Sequence, residues 1–179
     1  AEETEWVKQN VNTNRLREIT GNDVVDPYYG YTKVLWIKNH EPENWQRTKL
    51  FLPPNNYVIY KLTGKVSIDY SAAGNIGGFY DINKGTWSKE MMDAMGVPVD
   101  KMPEKFVDAT EIAGLITKEA AQELGVPAGT PVIAGGIDVG AANIGMGVFQ
   151  PGRYVAAIGS SMNAALVSEE PIKGKGLIV

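Results

Sequence analysis

Apolar side chains recur at helical spacing over much of residues 2–130, with polar residues and glycines between the runs. From residue 2 onward, this spacing predicts one helix that ends at Thr20–Gly21. Residues 31–48 predict two short helices with a break before Pro42. Residues 52–65 predict another helix, because prolines suit its first turn and Gly64 suits the position after its last turn.

Shorter elements are predicted within residues 67–125. Residues 67–75 predict a turn and then a short helix that either Asp69 or Ser71 caps. Residues 77–87 are typical of a hairpin or extended pair that turns at Asn83-Lys84-Gly85. Two further helices each begin after a hydroxyl side chain and end at a glycine: residues 89–95 between Ser88 and Gly96, and residues 118–124 between Thr117 and Gly125.

The pattern changes at Pro131 from helical spacing to continuous apolar runs. Residues 131–136 predict a buried strand, and residues 139–147 predict a helix of small residues. Residues 154–168 predict two strands around a tight Gly-Ser-Ser turn. A mostly helical part followed by strand, helix and two strands predicts the α/β fold class.

The composition is that of a globular protein and excludes several classes of function. The chain of 179 residues is 44% hydrophobic and 21% charged, which predicts a packed core. Its net charge of −4 argues against a general nucleic-acid binder, which needs clustered Lys and Arg. The chain has no cysteine, so disulfides and thiolate metal sites are excluded, in keeping with the expected cytoplasmic location.

Neither a secretory signal nor a membrane span is predicted. The first ten residues are acidic and amphipathic, without the basic and apolar regions of a signal peptide. The longest apolar run, residues 130–147, contains Asp138, and a carboxylate is unfavourable in lipid. Because the chain starts without Met and stops in GKGLIV, we expect a fragment of a longer protein.

Asp138 is the candidate with the most specific surroundings, since it follows Gly135 and Gly136 at the junction of the predicted strand and helix. Ligand crevices form at the carboxyl ends of strands in open α/β sheets, and glycines let a substrate approach the backbone there. Two interpretations stay open. The carboxylate either caps the helix or acts as a general base on a substrate hydroxyl in phosphoryl transfer, and both roles are compatible.

Gly159, Ser160 and Ser161 follow the apolar segment YVAAI. A tight turn with two hydroxyls can offer several donors to one phosphate, but an ordinary hairpin turn has the same composition. The segment also partly matches the serine-hydrolase pattern Gly-x-Ser-x-Gly, with Ser161 as nucleophile, although Asn163 stands at the last glycine position. The base would have to be His40, the single histidine, which lies in the polar segment NHEPEN.

The segment NHEPEN matches no zinc-ligand spacing, so we expect a solvated charge cluster there. The tryptophans fall in apolar patterns, which predicts core positions rather than a stacking surface for bases. They are Trp6, Trp36, Trp45 and Trp87.

Three segments together resemble the FGGY family of carbohydrate kinases. They are LPPNNYVIYKLTGKVSIDYSAAGNIGGFYDINKGTWSKEM, VIAGGIDVGAANIGMG and AIGSSMN. The resemblance implies a ribonuclease H-like, actin-like fold of two domains that close over a sugar and MgATP. Residues 1–150 would be the later part of the N-terminal, sugar-binding domain, and residues 151–179 the start of the C-terminal, nucleotide-binding domain.

The resemblance also implies roles for single residues. Asp138 matches the family's catalytic base, and Gly135 and Gly136 match glycines that line the sugar pocket. Gly159, Ser160 and Ser161 match a Gly-Thr-Ser phosphate loop, in which Ser160 keeps the hydroxyl of the usual Thr. Asp69 and Ser71 match an Asp-x-Ser-x-Ala segment for which we expect a structural capping role.

The expected function is therefore transfer of the ATP γ-phosphate to a hydroxyl of a ketose, with D-xylulose as the first candidate and ATP and Mg²⁺ as the cofactors. Val139 stands where the kinases of this pentulose have Asn, so another sugar, a polyol or a sugar acid stays an alternative. A non-catalytic sugar- or nucleotide-binding relative is a further alternative. The expected partners are small molecules, with neither nucleic acid nor membrane, and whether the full-length protein is a homodimer stays open. The isolated 179 residues are expected to be inactive.

Overall fold

The fold combines short helices with four two-stranded pairings, as described by a computed structural model for residues 2–22, 25–159 and 162–173. The helices are α1 Glu2–Asn10, α2 Thr13–Thr20, α3 Gly30–His40, α4 Pro42–Arg47, α5 Pro54–Thr63, α6 Tyr70–Ile76, α7 Lys89–Ala94, α8 Lys118–Leu124 and α9 Asp138–Gly145. The strands are β1 Ile68–Asp69, β2 Tyr80–Asp81, β3 Thr86–Trp87, β4 Phe106–Val107, β5 Ile112–Leu115, β6 Pro131–Ile133, β7 Tyr154–Ile158 and β8 Met162–Leu166.

The strand pairings bring distant segments of the chain together. β1 pairs in parallel with β4, with Asp69 opposite Val107. β2 and β3 form the predicted hairpin, and β5 pairs antiparallel with β6. β7 and β8 also pair antiparallel, which confirms the two strands predicted around the Gly-Ser-Ser turn. The mixture of helices, parallel pairing and hairpins confirms the predicted α/β class.

Capping residues and glycines explain most helix ends. Thr117 accepts the Ala120 N–H at the start of α8, and Gly125, with φ of 70°, ends that helix. Gly64, with φ of 69°, ends α5 as predicted. The prediction of a single helix over the first twenty residues is wrong, because α1 and α2 are separate helices. The break lies at Asn12, whose side chain accepts the Arg15 N–H and so caps the start of α2.

One apolar cluster forms most of the core and packs α1, α2, α3, α6 and α7 around the β2–β3 hairpin. Trp87 is buried in this cluster and Trp45 packs against it, as predicted. The prediction that Trp6 and Trp36 also belong to the core is wrong, because their side chains are 40% and 44% exposed. Trp36 instead stacks on His40 at the surface.

A second, smaller cluster joins β4, β5 and β6 to α5 through Ile59, Val107, Ala113 and Ala134. A strand is present within residues 131–136, as predicted, but the prediction that it is buried is wrong, since Ile133 in β6 is 58% exposed. Among the described residues, β6 pairs only with β5, so one of its edges carries no neighbouring strand. No helix within the described ranges combines the length and apolarity needed to cross a membrane.

Tyr31 carries a buried hydroxyl that has no hydrogen-bond partner among the described residues. Burial raises the pKa of Tyr31, since a phenolate is poorly solvated there. We expect Tyr31→Phe to raise the free energy of unfolding by about 1 kcal/mol, because an unsatisfied buried polar atom is removed. Urea unfolding measures this change.

Tyr29→Phe is the matched control for Tyr31→Phe. The Tyr29 hydroxyl is equally buried but donates to Asn22 Oδ1 at 3.1 Å, so its removal is expected to destabilise the fold by about 1 kcal/mol. A loss of stability in both variants would show that the Tyr31 hydroxyl has a partner.

Candidate functional site

Asp138 is the first residue of α9, and its side chain is exposed. Its Oδ1 atom accepts the Val139 N–H at 2.8 Å, so the carboxylate satisfies one free donor of the helix terminus. The carboxylate thus contacts the helix end and remains open to solvent, which keeps both interpretations of Asp138 compatible.

The loop before α9 is held by backbone hydrogen bonds to the segment that follows β4. The Ala134 N–H donates to Glu111 O at 2.9 Å, and the Gly135 N–H donates to Ala109 O at 2.8 Å. These bonds place the loop beside the carboxyl end of β4, and therefore beside that of its parallel neighbour β1. The structure thus brings Asp69 and Asp138 to the same end of this strand pair.

Gly135 and Gly136 serve the loop in different ways. Gly135 has φ of 66°, which favours glycine, and an added Cβ would meet nothing within 4 Å. At Gly136, an added Cβ would lie 3.0 Å from Ser71 Oγ, so that side chain leaves little room. The open space beside Gly135 suits the predicted approach of a substrate. That the two glycines line a sugar pocket stays a prediction.

Asp69 is 1% exposed and lies at the start of α6. Its Oδ1 atom accepts the Ala72 N–H at 2.8 Å, which confirms the predicted capping role and assigns it to Asp69 rather than Ser71. The same oxygen accepts the Ser71 hydroxyl at 2.5 Å. Oδ2 accepts from Asn55 Nδ2 at 2.9 Å and from Asn56 Nδ2 at 3.4 Å. Four donors therefore fix this buried carboxylate.

Ser71 extends this network to the loop before Asp138. Its Oγ accepts the Ile137 N–H at 3.0 Å, across 66 residues of sequence. The sequence indicates the α6 cap, because Asp-x-Ser precedes small helical residues. No local pattern indicates that Ser71 would contact Ile137. The asparagines that hold Asp69 were also missed, although two asparagines after two prolines mark the start of α5.

The β7–β8 hairpin presents Gly159 directly after Ile158, whose strand partner is Met162. Ser160 and Ser161 lie outside the described residues, and the phosphate-loop role of Gly159, Ser160 and Ser161 stays a prediction. Two shallow grooves of about 500 and 650 Å³ lie elsewhere, and neither is lined by Asp138, Gly135 or Gly136. Asp138 itself is exposed to solvent.

His40 is held by neighbouring side chains of α1 and α3. Its ring stacks on Trp36 with centroids 5.0 Å apart, and Nδ1 lies 3.0 Å from Trp36 O. Glu2 and Glu3 lie 3.5 and 3.3 Å from its ring nitrogens. Both acids belong to α1, so they are not Glu41 and Glu43, the acids of the charge cluster expected within NHEPEN. Within residues 2–22, 25–159 and 162–173, no three His, Asp or Glu side chains are grouped to hold a metal.

The chain is similar to several sugar kinases in sequence and in fold. The chain is 33% identical to the xylulose kinase of Bacillus subtilis and 30% identical to the autoinducer-2 kinase of Yersinia enterocolitica, over 90% and 78% of this chain. It covers 32% and 26% of those two proteins. The crystal structure of xylulose kinase from Rhodospirillum rubrum superposes with a TM-score of 0.83 at 26% identity, over 92% of this chain and 33% of that one.

These matches confirm the ribonuclease H-like, actin-like fold expected from the sequence. The chain spans about a third of the length of the xylulose kinases that it matches. Residues 1–145 match the FGGY family of carbohydrate kinases, N-terminal domain. The chain therefore belongs to the FGGY family of carbohydrate kinases.

Proposed function

We propose that this chain supplies the general base and part of the sugar site of an ATP-dependent sugar kinase. The observation that carries the proposal is the exposed carboxylate of Asp138 at the start of α9, directly after the Gly135–Gly136 loop. Membership of the family supports the reaction class. Residues 1–150 would belong to the sugar-binding domain and residues 151–179 to the nucleotide-binding domain.

The proposed chemistry at Asp138 is removal of one proton. As a sugar hydroxyl attacks the γ-phosphorus of ATP, a new O–P bond forms and the bond to the ADP leaving oxygen breaks. Asp138 takes the hydroxyl proton, and general-base assistance of this kind contributes about 10²–10⁴-fold to the rate.

ATP and Mg²⁺ are implied by the family. The chain offers a candidate site for the ATP phosphates, but its described residues offer none for the metal ion. Gly159 directly follows β7, and we propose that ATP binds at Gly159, Ser160 and Ser161, because the glycine and the two hydroxyls match the phosphate loop of the family. No group of three metal-ligating side chains occurs in the described part of the chain. We therefore assign no Mg²⁺ ligand, and no step of the reaction is derived through the ion.

D-Xylulose is the proposed sugar, because xylulose kinases recur among the most similar relatives. Val139 follows the proposed base and is 37% exposed, and its side chain can form no hydrogen bond with a sugar hydroxyl. The similarity to an autoinducer-2 kinase adds a second candidate class of substrate. Another ketose, a polyol or a sugar acid is thus the alternative substrate. The alternative function is that of a non-catalytic protein that binds a sugar or a nucleotide.

A screen of ADP release tests these proposals in the full-length protein as its gene encodes it. Ketoses, polyols and sugar acids are supplied one at a time with MgATP, and D-xylulose is expected to give the highest kcat/KM. Faster turnover of another compound would overturn D-xylulose as the substrate but support the kinase activity. If calorimetry detected sugar binding and no sugar caused ADP release, the protein would be a binding protein and not a kinase.

A further inference from the structure

The Ser71 hydroxyl bridges two parts of the chain that meet at the proposed base. It donates to Asp69 Oδ1 at 2.5 Å and accepts the Ile137 N–H at 3.0 Å. Ile137 is the residue immediately before Asp138. The bridge therefore ends one peptide unit from the carboxylate that is proposed to take the proton.

The direction of this bridge is set by Asp69. A serine hydroxyl has one proton to donate, and here the proton is committed to a carboxylate that is 1% exposed. The lone pairs of Oγ are consequently turned toward the Ile137 N–H. Because Asn55, Asn56 and the Ala72 N–H also hold the carboxylate, the Ser71 hydroxyl has a rigid anchor.

The contact with Ser71 holds the residue that immediately precedes α9. Ile137 is the residue before the first turn, and no side chain caps the helix from that position. Its own side chain is partly buried against the main core cluster. Gly136 packs so closely beneath Ser71 that a Cβ would lie 3.0 Å from Oγ. Ser71 is thus a side chain from outside the loop that holds the Ile137 backbone through a hydrogen bond.

We propose that Ser71, oriented by Asp69, is a positioning residue for Asp138. It acts by holding the Ile137 peptide, so that the carboxylate meets the sugar hydroxyl at a fixed distance and angle, on which general-base efficiency depends. Ser71 itself takes no part in proton transfer. This inference rests on the proposed role of Asp138 and extends it to a second segment of the chain.

A purely structural role would give a different pattern of effects. The α6 cap is made by Asp69 and the Ala72 N–H, and it remains when the Ser71 hydroxyl is removed. Ser71 is itself exposed, so Ser71→Ala leaves no cavity in the core. Ser88→Ala is the matched control, since it removes the hydroxyl that caps α7 and accepts the Met91 N–H.

The experiment compares Ser71→Ala, Ser71→Thr and Ser88→Ala in the full-length protein. Amide hydrogen exchange of residues 134–140 reports the bridge directly, and steady-state kinetics with MgATP and the best sugar of the screen report its consequence. Ser71→Ala is expected to speed exchange at Ile137 roughly 5-fold and to lower kcat roughly 10-fold, with KM within about twofold. Ser71→Thr keeps the hydroxyl and should restore both values, whereas Ser88→Ala should change neither.

Each other outcome overturns a defined part of the proposal. Unchanged exchange at Ile137 in Ser71→Ala would show that the bridge does not hold the loop. Faster exchange with an unchanged kcat would show that the bridge exists but does not position the base. An unsubstituted protein without turnover overturns the proposed function and the positioning role together, and the exchange data then report the bridge alone.

Discussion

Asp138→Asn lowers kcat of the full-length protein by about 10²–10⁴-fold, if Asp138 is the general base as proposed. Asn has the same shape, and its amide oxygen can still accept the Val139 N–H, now 2.8 Å from Oδ1 of Asp138. The start of α9 should therefore persist while the group that accepts the substrate proton is lost. Steady-state ADP release measures the loss, and calorimetry should show that much of the sugar affinity remains.

Asp93→Asn is the control for the change in charge. Asp93 lies on an exposed helix surface and pairs with Lys89 one turn earlier in α7. Asp93→Asn therefore removes the same charge at a residue to which we assign no role in the chemistry. Its kcat is expected to stay within about twofold of the unsubstituted value, since exposed ion pairs contribute little. If Asp138→Asn also kept its kcat within tenfold, Asp138 would be a helix-capping residue alone.

Local chemistry made most helices predictable from the sequence. α5, α7 and α8 begin at prolines or hydroxyl caps and end near glycines, and these signals act within a few residues. The break at Asn12 was missed because apolar spacing continues through it, although its side chain caps α2. The parallel pairing of β1 with β4 was also missed, since two-residue strands carry no periodicity.

In the candidate site, too, local signals were predictable from the sequence and long-range contacts were not. Asp138 was found because two glycines and a strand-to-helix change surround it, all within a few positions. Its link to Ser71 spans 66 residues and depends on how α6 packs against the loop, which no local pattern contains. The burial of β6 was overestimated for a related reason, because the exposure of a strand depends on its neighbours in the sheet.

Gly77→Ala is expected to reduce the free energy of unfolding by roughly 3 kcal/mol, the largest stability effect that we predict. Gly77 ends α6 with φ of 83°, a conformation that L side chains rarely adopt. An added Cβ would also lie 2.6 Å from Cδ1 of Tyr29, which is 1% exposed and packed in the core. Backbone strain and overpacking therefore add at this position. Urea unfolding followed by circular dichroism measures the sum.

Gly64→Ala is the comparison at a helix-ending glycine that has no crowded neighbour. Gly64 ends α5 with a similar φ of 69°, but an added Cβ there meets nothing within 4 Å. It should lose only about 1 kcal/mol, because Gly64 has ψ of 3° and lies in the left-handed region, whereas Gly77 has ψ of −103° and lies outside it. The difference between the variants is therefore the greater backbone strain at Gly77 together with the steric conflict with Tyr29. Equal losses at Gly77 and Gly64 would mean that the Gly77 backbone and the Tyr29 side chain both relax without cost. A much larger loss at Gly77 would show that the end of α6, which carries Asp69 and Ser71 at its start, is held firmly against the core.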